Sequence, residues 1–76
     1  MSSKYPILSS KEIVKALQKA GFEKVSQKGS HSKYKKEGSP SRIVIVPMHK
    51  EIAKGTLKSI LEQANIELED FLKLLK

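Results

Sequence analysis

The sequence predicts an α+β protein: a three-stranded antiparallel sheet, two helices on one of its faces, and a short extra helix at the C-terminus. Three observations lead there. Apolar residues at helical spacing occur near the two ends of the chain, over about 10–20 and 56–75. Between them, turn formers cut the middle into three strand-length segments joined by short connections, which read as an antiparallel meander. Finally, 76 residues without a cysteine make one domain, read here over 1–76, with no disulfide framework. A chain of this size buries only about 60–65% of the surface that its unfolded form exposes, so modest stability is expected.

The first helix is signalled by Leu8-Ser9-Ser10-Lys11-Glu12-Ile13. Ser9 as N-cap and Glu12 three residues later make a capping box, and Leu8 and Ile13 stand where a hydrophobic staple forms. Ile13, Ala16, Leu17 and Ala20 recur at helical spacing, while Lys11, Lys15 and Lys19 fall on another face. Gly21 is the expected residue just past the end, giving a helix over 10–20.

Phe22 to Lys28 reads as a weak strand, since its two large apolar residues, Phe22 and Val25, do not alternate. Gly29-Ser30 is a turn signal. In the strand 31–36, His31, Lys33 and Lys35 point one way and Ser32, Tyr34 and Lys36 the other, with Tyr34 as the inward anchor. Residues 37–41, Glu-Gly-Ser-Pro-Ser, form a loop. Arg42 to Val46 is the strongest strand signal, with four β-branched residues in a row, and Pro47 ends it. Being apolar on both faces, this strand is expected to be covered on both sides, or on one side by a partner.

A loop over 48–55 carries His49, Lys50 and Lys54. Thr56 is the expected cap of a helix running to Ala64, with Leu57, Ile60, Leu61 and Ala64 as its apolar stripe and Asn65 as its stop. A last helix over 67–75 places Glu67, Glu69 and Asp70 in its first turn and Lys73 and Lys76 near its end, as the helix dipole favours. Leu68, Phe71, Leu72 and Leu75 share one face, either a cover over the sheet or a contact for another protein. The order α-β-β-β-α, with two helices packed on one sheet face, is the topology of the double-stranded-RNA-binding fold. A shared topology does not by itself carry a function.

Charge is distributed unevenly. Residues 1–61 hold 13 Lys/Arg against 4 Asp/Glu, whereas residues 62–76 hold 2 against 4. A basic body with a pI near 9.8 points to a polyanion, most simply a nucleic acid. Only one of the 15 cations is arginine. Base reading favours the bidentate guanidinium, while lysine acts as a point charge on phosphate, so backbone binding is the better expectation. No apolar run has the length of a signal peptide or a membrane span, and a cytoplasmic protein is expected.

The chemical inventory is small. There is no thiol, no glycine-rich phosphate loop and no cluster of metal-ligand type, because the two histidines stand 18 residues apart with few acids beside them. No metal and no small-molecule cofactor is expected. RNA, however, supplies its own nucleophile. A base active near neutral pH can take the 2′-OH proton, and that oxygen then attacks the adjacent phosphorus. His31 is a candidate for this work, with Lys28, Lys33 and Lys35 as phosphate contacts that offset charge building on the phosphate oxygens. DNA lacks the 2′-OH, so the same site could not cut it this way. His49 is a second, unassigned imidazole in a basic loop.

Four stretches together resemble the HicA family of toxins, small YcfA-like mRNA interferases partnered by HicB antitoxins. They are Ser9 to Leu17 with Gly21-Phe22, Lys28-Gly29-Ser30-His31, Val44 to His49, and Lys50 to Leu61. The resemblance spans about Ile7 to Leu75. It implies a double-stranded-RNA-binding-like fold, endoribonuclease activity on mRNA without a metal, and neutralisation by a HicB-like antitoxin that covers the active site. It places His31 at the catalytic histidine and Lys28, Gly29 and Ser30 in the signature turn, where Gly29 lets the backbone approach RNA. One position departs. Many members carry a second histidine directly after the first, where this chain has Ser32, and strand alternation turns that position away from the face of His31.

Two other readings stay open on the residues alone. One is a non-catalytic RNA-binding module of the same fold, with His31 as a phosphate or 2′-OH contact. The other is a protein-interaction domain that docks through strand 42–46 or the C-terminal helix.

Overall fold

In the computed structural model, which describes residues 5–75, the first helix starts as its cap dictates. Helix α1 spans Ser10–Lys19. The Glu12 N–H donates to the Ser9 hydroxyl at 3.2 Å, and the Ser9 N–H donates to the Glu12 carboxylate at 2.9 Å. Leu8 and Ile13 both join the core. Ala20 caps the other end and Gly21 follows at φ 104°, a value that a side chain would strain.

Strand β1 (Glu23–Lys28) and strand β2 (His31–Lys36) form a hairpin across Gly29-Ser30, and strand β3 (Arg42–Pro47) pairs with the other edge of β2. Both pairings are antiparallel. Gly29 has φ 59° and Ser30 has none of the positive values, the pattern of a two-residue turn with glycine first. The β1–β2 register shifts between Lys24 and Ser26, where Val25 bulges out. Every β1 side chain is exposed, so this strand projects past the helix layer.

Helix α2 spans Lys54–Ala64 and starts two residues before Thr56. Its N-cap is Ala53, which makes no side-chain cap, and Thr56 lies inside the first turn. The reason is the preceding segment. The Ile52 N–H donates to the Leu8 carbonyl at 2.7 Å in an isolated β-bridge, and the chain coils from Lys54, directly after the extended Ala53. Asn65 terminates α2 in the left-handed conformation at φ 58°.

Helix α3 spans Leu68–Leu74, with Glu67 at its N-cap, Glu69 and Asp70 in the first turn and Lys73 in the last; Lys76 lies outside the described residues, as do residues 1–4. Its Phe71 is fully buried, and the helix packs against α1. It therefore extends the helix layer and leaves the other sheet face uncovered.

The core lies between this layer and one sheet face: Ile13 and Leu17 of α1, Leu57, Ile60 and Leu61 of α2, Phe71 of α3, and Tyr34, Val44 and Val46 of the sheet. Val44 and Val46 are fully buried. Ile43, on the opposite face of β3, is 45% exposed, and Ile45 is half-buried. Of the two arrangements expected for β3, cover by the protein on both sides does not occur, and one face is left open. All the helices lie on one side of the sheet, so the alternate side chains of an apolar strand stand in the open. The β3 edge is partly closed by Gln63, whose side-chain oxygen accepts from the Ile45 N–H at 3.1 Å.

Candidate functional site

The uncovered sheet face can be reconstructed from strand register, because residues paired across neighbouring strands point the same way. Three rows cross it: Lys28–His31–Pro47, Ser26–Lys33–Ile45 and Glu23–Lys35–Ile43. The face thus grades from polar and basic on β1 and β2 to apolar on β3. His31, Lys28 and Lys33 are exposed, and Lys35 is half-buried. The alternation expected for 31–36 holds, with Ser32 and Tyr34 buried on the helix side.

Ser32 is fully buried. Its hydroxyl lies 3.4 Å from the Val46 carbonyl, 3.2 Å from the Tyr34 hydroxyl and 3.1 Å from the Met48 sulfur. It braces β2 against β3 from beneath and has no path to the open face. Tyr34 is 2% exposed, so it serves the core and cannot stack on a base.

The three lysines are not equivalent. Lys28 is directly paired with His31, and Lys33 stands two residues along the same strand face, about 7 Å away at ordinary strand rise. Neither forms an ion pair among the described residues. Lys35 is a further two residues off, faces Glu23 across the ladder and forms a 3.6 Å ion pair with Glu37. Part of its charge is thereby balanced within the protein. Free cationic charge on the face is concentrated at the His31 end.

The turn that presents His31 is held from two sides. The Gln27 side-chain amide donates to the Gly29 carbonyl at 3.3 Å. The Met48 N–H donates to the Ser30 carbonyl at 2.6 Å, carrying the β2–β3 ladder one step past Pro47. Gly29 and Ser30 are exposed, and a Cβ added at Gly29 would meet nothing within 4 Å. Glycine is needed there for the positive φ of the turn. No side-chain hydrogen bond from a described residue orients the His31 imidazole. Among the described residues, no group of three or more His, Cys, Asp or Glu gathers as a metal would need.

Sequence reasoning left open whether the apolar run of β3 is covered on both faces or meets a partner on one, and the structure leaves Ile43 and Ile45 on the open face beside the basic row. The run Ile43 to Val46 is compatible with a strand buried on both faces, and only the placement of the helices tells the two apart. It also left open where the loop histidine lies. His49 is exposed, and its backbone follows the last rung beside the Ser30–His31 turn. No helix among the described residues is long and apolar enough to cross a membrane.

No curated protein matches the chain in sequence. Residues 10–66, from the start of α1 to just past α2, match the family described as the HicA toxin of bacterial toxin–antitoxin systems. On that match, with the α-β-β-β-α-α fold behind it, the chain belongs to the HicA family and is a toxin of a toxin–antitoxin system.

Proposed function

We propose that this toxin is a metal-independent endoribonuclease that cleaves mRNA at the open sheet face, with His31 as general acid or base. The observation that carries the reading is the row Lys28–His31 with Lys33 beside it: an exposed imidazole flanked by two cations without ion partners. In the proposed reaction the 2′-oxygen of one nucleotide attacks the adjacent phosphorus as its proton leaves to a base. The bond from phosphorus to the 5′-oxygen breaks, and that oxygen takes up a proton. The products are a 2′,3′-cyclic phosphate and a 5′-hydroxyl. Lys28 and Lys33 hold the phosphate and offset the charge that grows on its oxygens, with Lys35 as a weaker outer contact. The exposed Gly29-Ser30 turn lets RNA approach closely. The reaction proceeds in the cytoplasm, where mRNA is available, and serves a stress response.

The cognate antitoxin, a HicB-like protein in this proposal, covers this face. A partner with acidic groups for the lysine rows and apolar side chains for Ile43 and Ile45 would complement it.

The test is incubation of a labelled mRNA in EDTA with the native chain and with His31→Ala, after circular dichroism has established that the variant folds. Cleavage by the native chain only, leaving cyclic-phosphate ends, is expected. DNA of the same sequence should be bound and left intact. Equal cleavage by both proteins would refute the role of His31.

A second reading, an RNA-binding module without catalysis, is favoured by one observation: nothing among the described residues orients the imidazole. It predicts salt-sensitive RNA binding by native and variant chains alike, with intact RNA after long incubation.

A further inference from the structure

Cleavage by 2′-oxygen attack needs two proton transfers, one from the nucleophile and one to the leaving group. His31 can perform one at a time. We propose that His49 performs the other, so that the two imidazoles flank the scissile phosphate; this rests on the ribonuclease reading above.

The β2–β3 ladder brings the two histidines near each other. His31 is paired with Pro47 across β2 and β3, and the chain continues Pro47-Met48-His49. The Met48 N–H donates to the Ser30 carbonyl at 2.6 Å, which holds the chain leaving β3 against the turn that carries His31. Directly paired Cα atoms lie about 5 Å apart. Two further residues add at most about 7 Å. The Cα atoms of the two histidines are thus within about 12 Å, and both residues are exposed. That span suits one phosphodiester between them.

The backbone at His49 is also fixed. Its N–H donates to the Pro47 carbonyl at 3.2 Å, and its carbonyl accepts from the Ser10 N–H at 3.0 Å, tying the loop to the first residue of α1. A fixed backbone root keeps the imidazole close to the turn of His31 while leaving its ring nitrogens open to a ligand. His49 is exposed, and among the described residues its imidazole has no hydrogen bond that would give it a structural task. Imidazole is the side chain suited to moving protons near neutral pH, and the chain has two, with no cysteine. The fold brings both to one end of the sheet although they stand 18 positions apart.

One imidazole takes the 2′-OH proton as the bond from that oxygen to phosphorus forms. The other, protonated, gives its proton to the 5′-oxygen as the phosphorus–5′-oxygen bond breaks.

The test compares native chain, His31→Ala, His49→Ala and His49→Gln under single-turnover conditions on two RNAs. One RNA has the ordinary 5′-oxygen at the cleavage site; the other carries sulfur there, which leaves without a proton. His49→Ala should lose about 10²–10⁴-fold in rate on the oxygen substrate. His49→Gln should lose as much, while both variants keep native RNA affinity and melting temperature. Their backbone bonds to Ser10 and Pro47 survive either substitution. On the sulfur substrate, whichever of the two histidine positions supplies the leaving-group proton should become dispensable, and the other should not. Full activity of His49→Ala on the oxygen substrate would overturn the proposal. So would a rate loss matched by lost affinity or stability, or sulfur relieving neither position. In those cases cleavage by the native chain that His31→Ala lacks leaves the ribonuclease reading standing. No cleavage by the native chain removes both.

Discussion

Gly29 and Ser32 flank the proposed catalytic position and do different work. Gly29 stands at φ 59° with open space where a Cβ would go, so Gly29→Ala pays only for the left-handed backbone, about 1–2 kcal/mol. Chemical denaturation should read that loss as a lower midpoint with an unchanged slope. Ser32→Ala removes the hydrogen-bonding partner of the buried Tyr34 hydroxyl and should cost about 1–3 kcal/mol. The double variant Ser32→Ala with Tyr34→Phe, which takes away both polar ends, should recover part of that loss. The lysines divide in the same way. Lys28→Gln or Lys33→Gln should each reduce the slope of log affinity against log salt for RNA by about one. Lys35→Gln should reduce it less, because Glu37 already balances that ammonium. Equal slopes for all three variants would mean that the ion pair opens when RNA binds.

The helices make a matched pair of experiments at the scale of the element. Helix α1 has a complete capping box, and Ser9→Ala should destabilise the protein by about 1 kcal/mol. Helix α2 has alanine at its N-cap with extended backbone and no side-chain cap, so Ala53→Ser should stabilise it by a comparable 0.5–1 kcal/mol, roughly the worth of one cap. Thermal melts of the two variants should move in opposite directions. The capping box of α1 is readable because its partners lie three residues apart in sequence. The start of α2 is not, because the Leu8–Ile52 bridge that precedes it joins residues far apart in the chain. Thr56 carries the right side chain for a cap, but the chain has already begun to coil.

The whole molecule is a sheet with one dressed face and one bare one. Substitutions on the two sides of β3 should separate accordingly. Val46→Ala opens a cavity in the core and should cost about 2–3 kcal/mol. Ile43→Ala, on the open face, should leave the melting temperature nearly unchanged while weakening association with the antitoxin, as isothermal titration would measure. If Ile43→Ala lowers stability and leaves that association intact, the apolar row is not part of the docking surface. The uneven charge belongs to this scale too. The acidic groups of residues 62–76 are carried mainly by α3 and its cap, on the helix layer, away from the open face where Lys28 and Lys33 stand.

The sequence carries the elements and their order in local signals. Capping, periodicity and turn chemistry act between residues a few positions apart, so the capping box of α1, the alternation of β2 and the asparagine stop of α2 could all be read from neighbours. It also determined that His31, Lys33 and Lys35 share a face, since alternation is a property of one strand. Tertiary structure alone decided which face of β3 is bare, because a strand of four β-branched residues looks the same under one helix layer or two. It decided that Lys35 is partly balanced and Lys28 is not, through a cross-strand register and an ion pair. And it decided that His49 ends beside the turn of His31, because only the pairing of β2 with β3 converts 18 positions of sequence into adjacency in space.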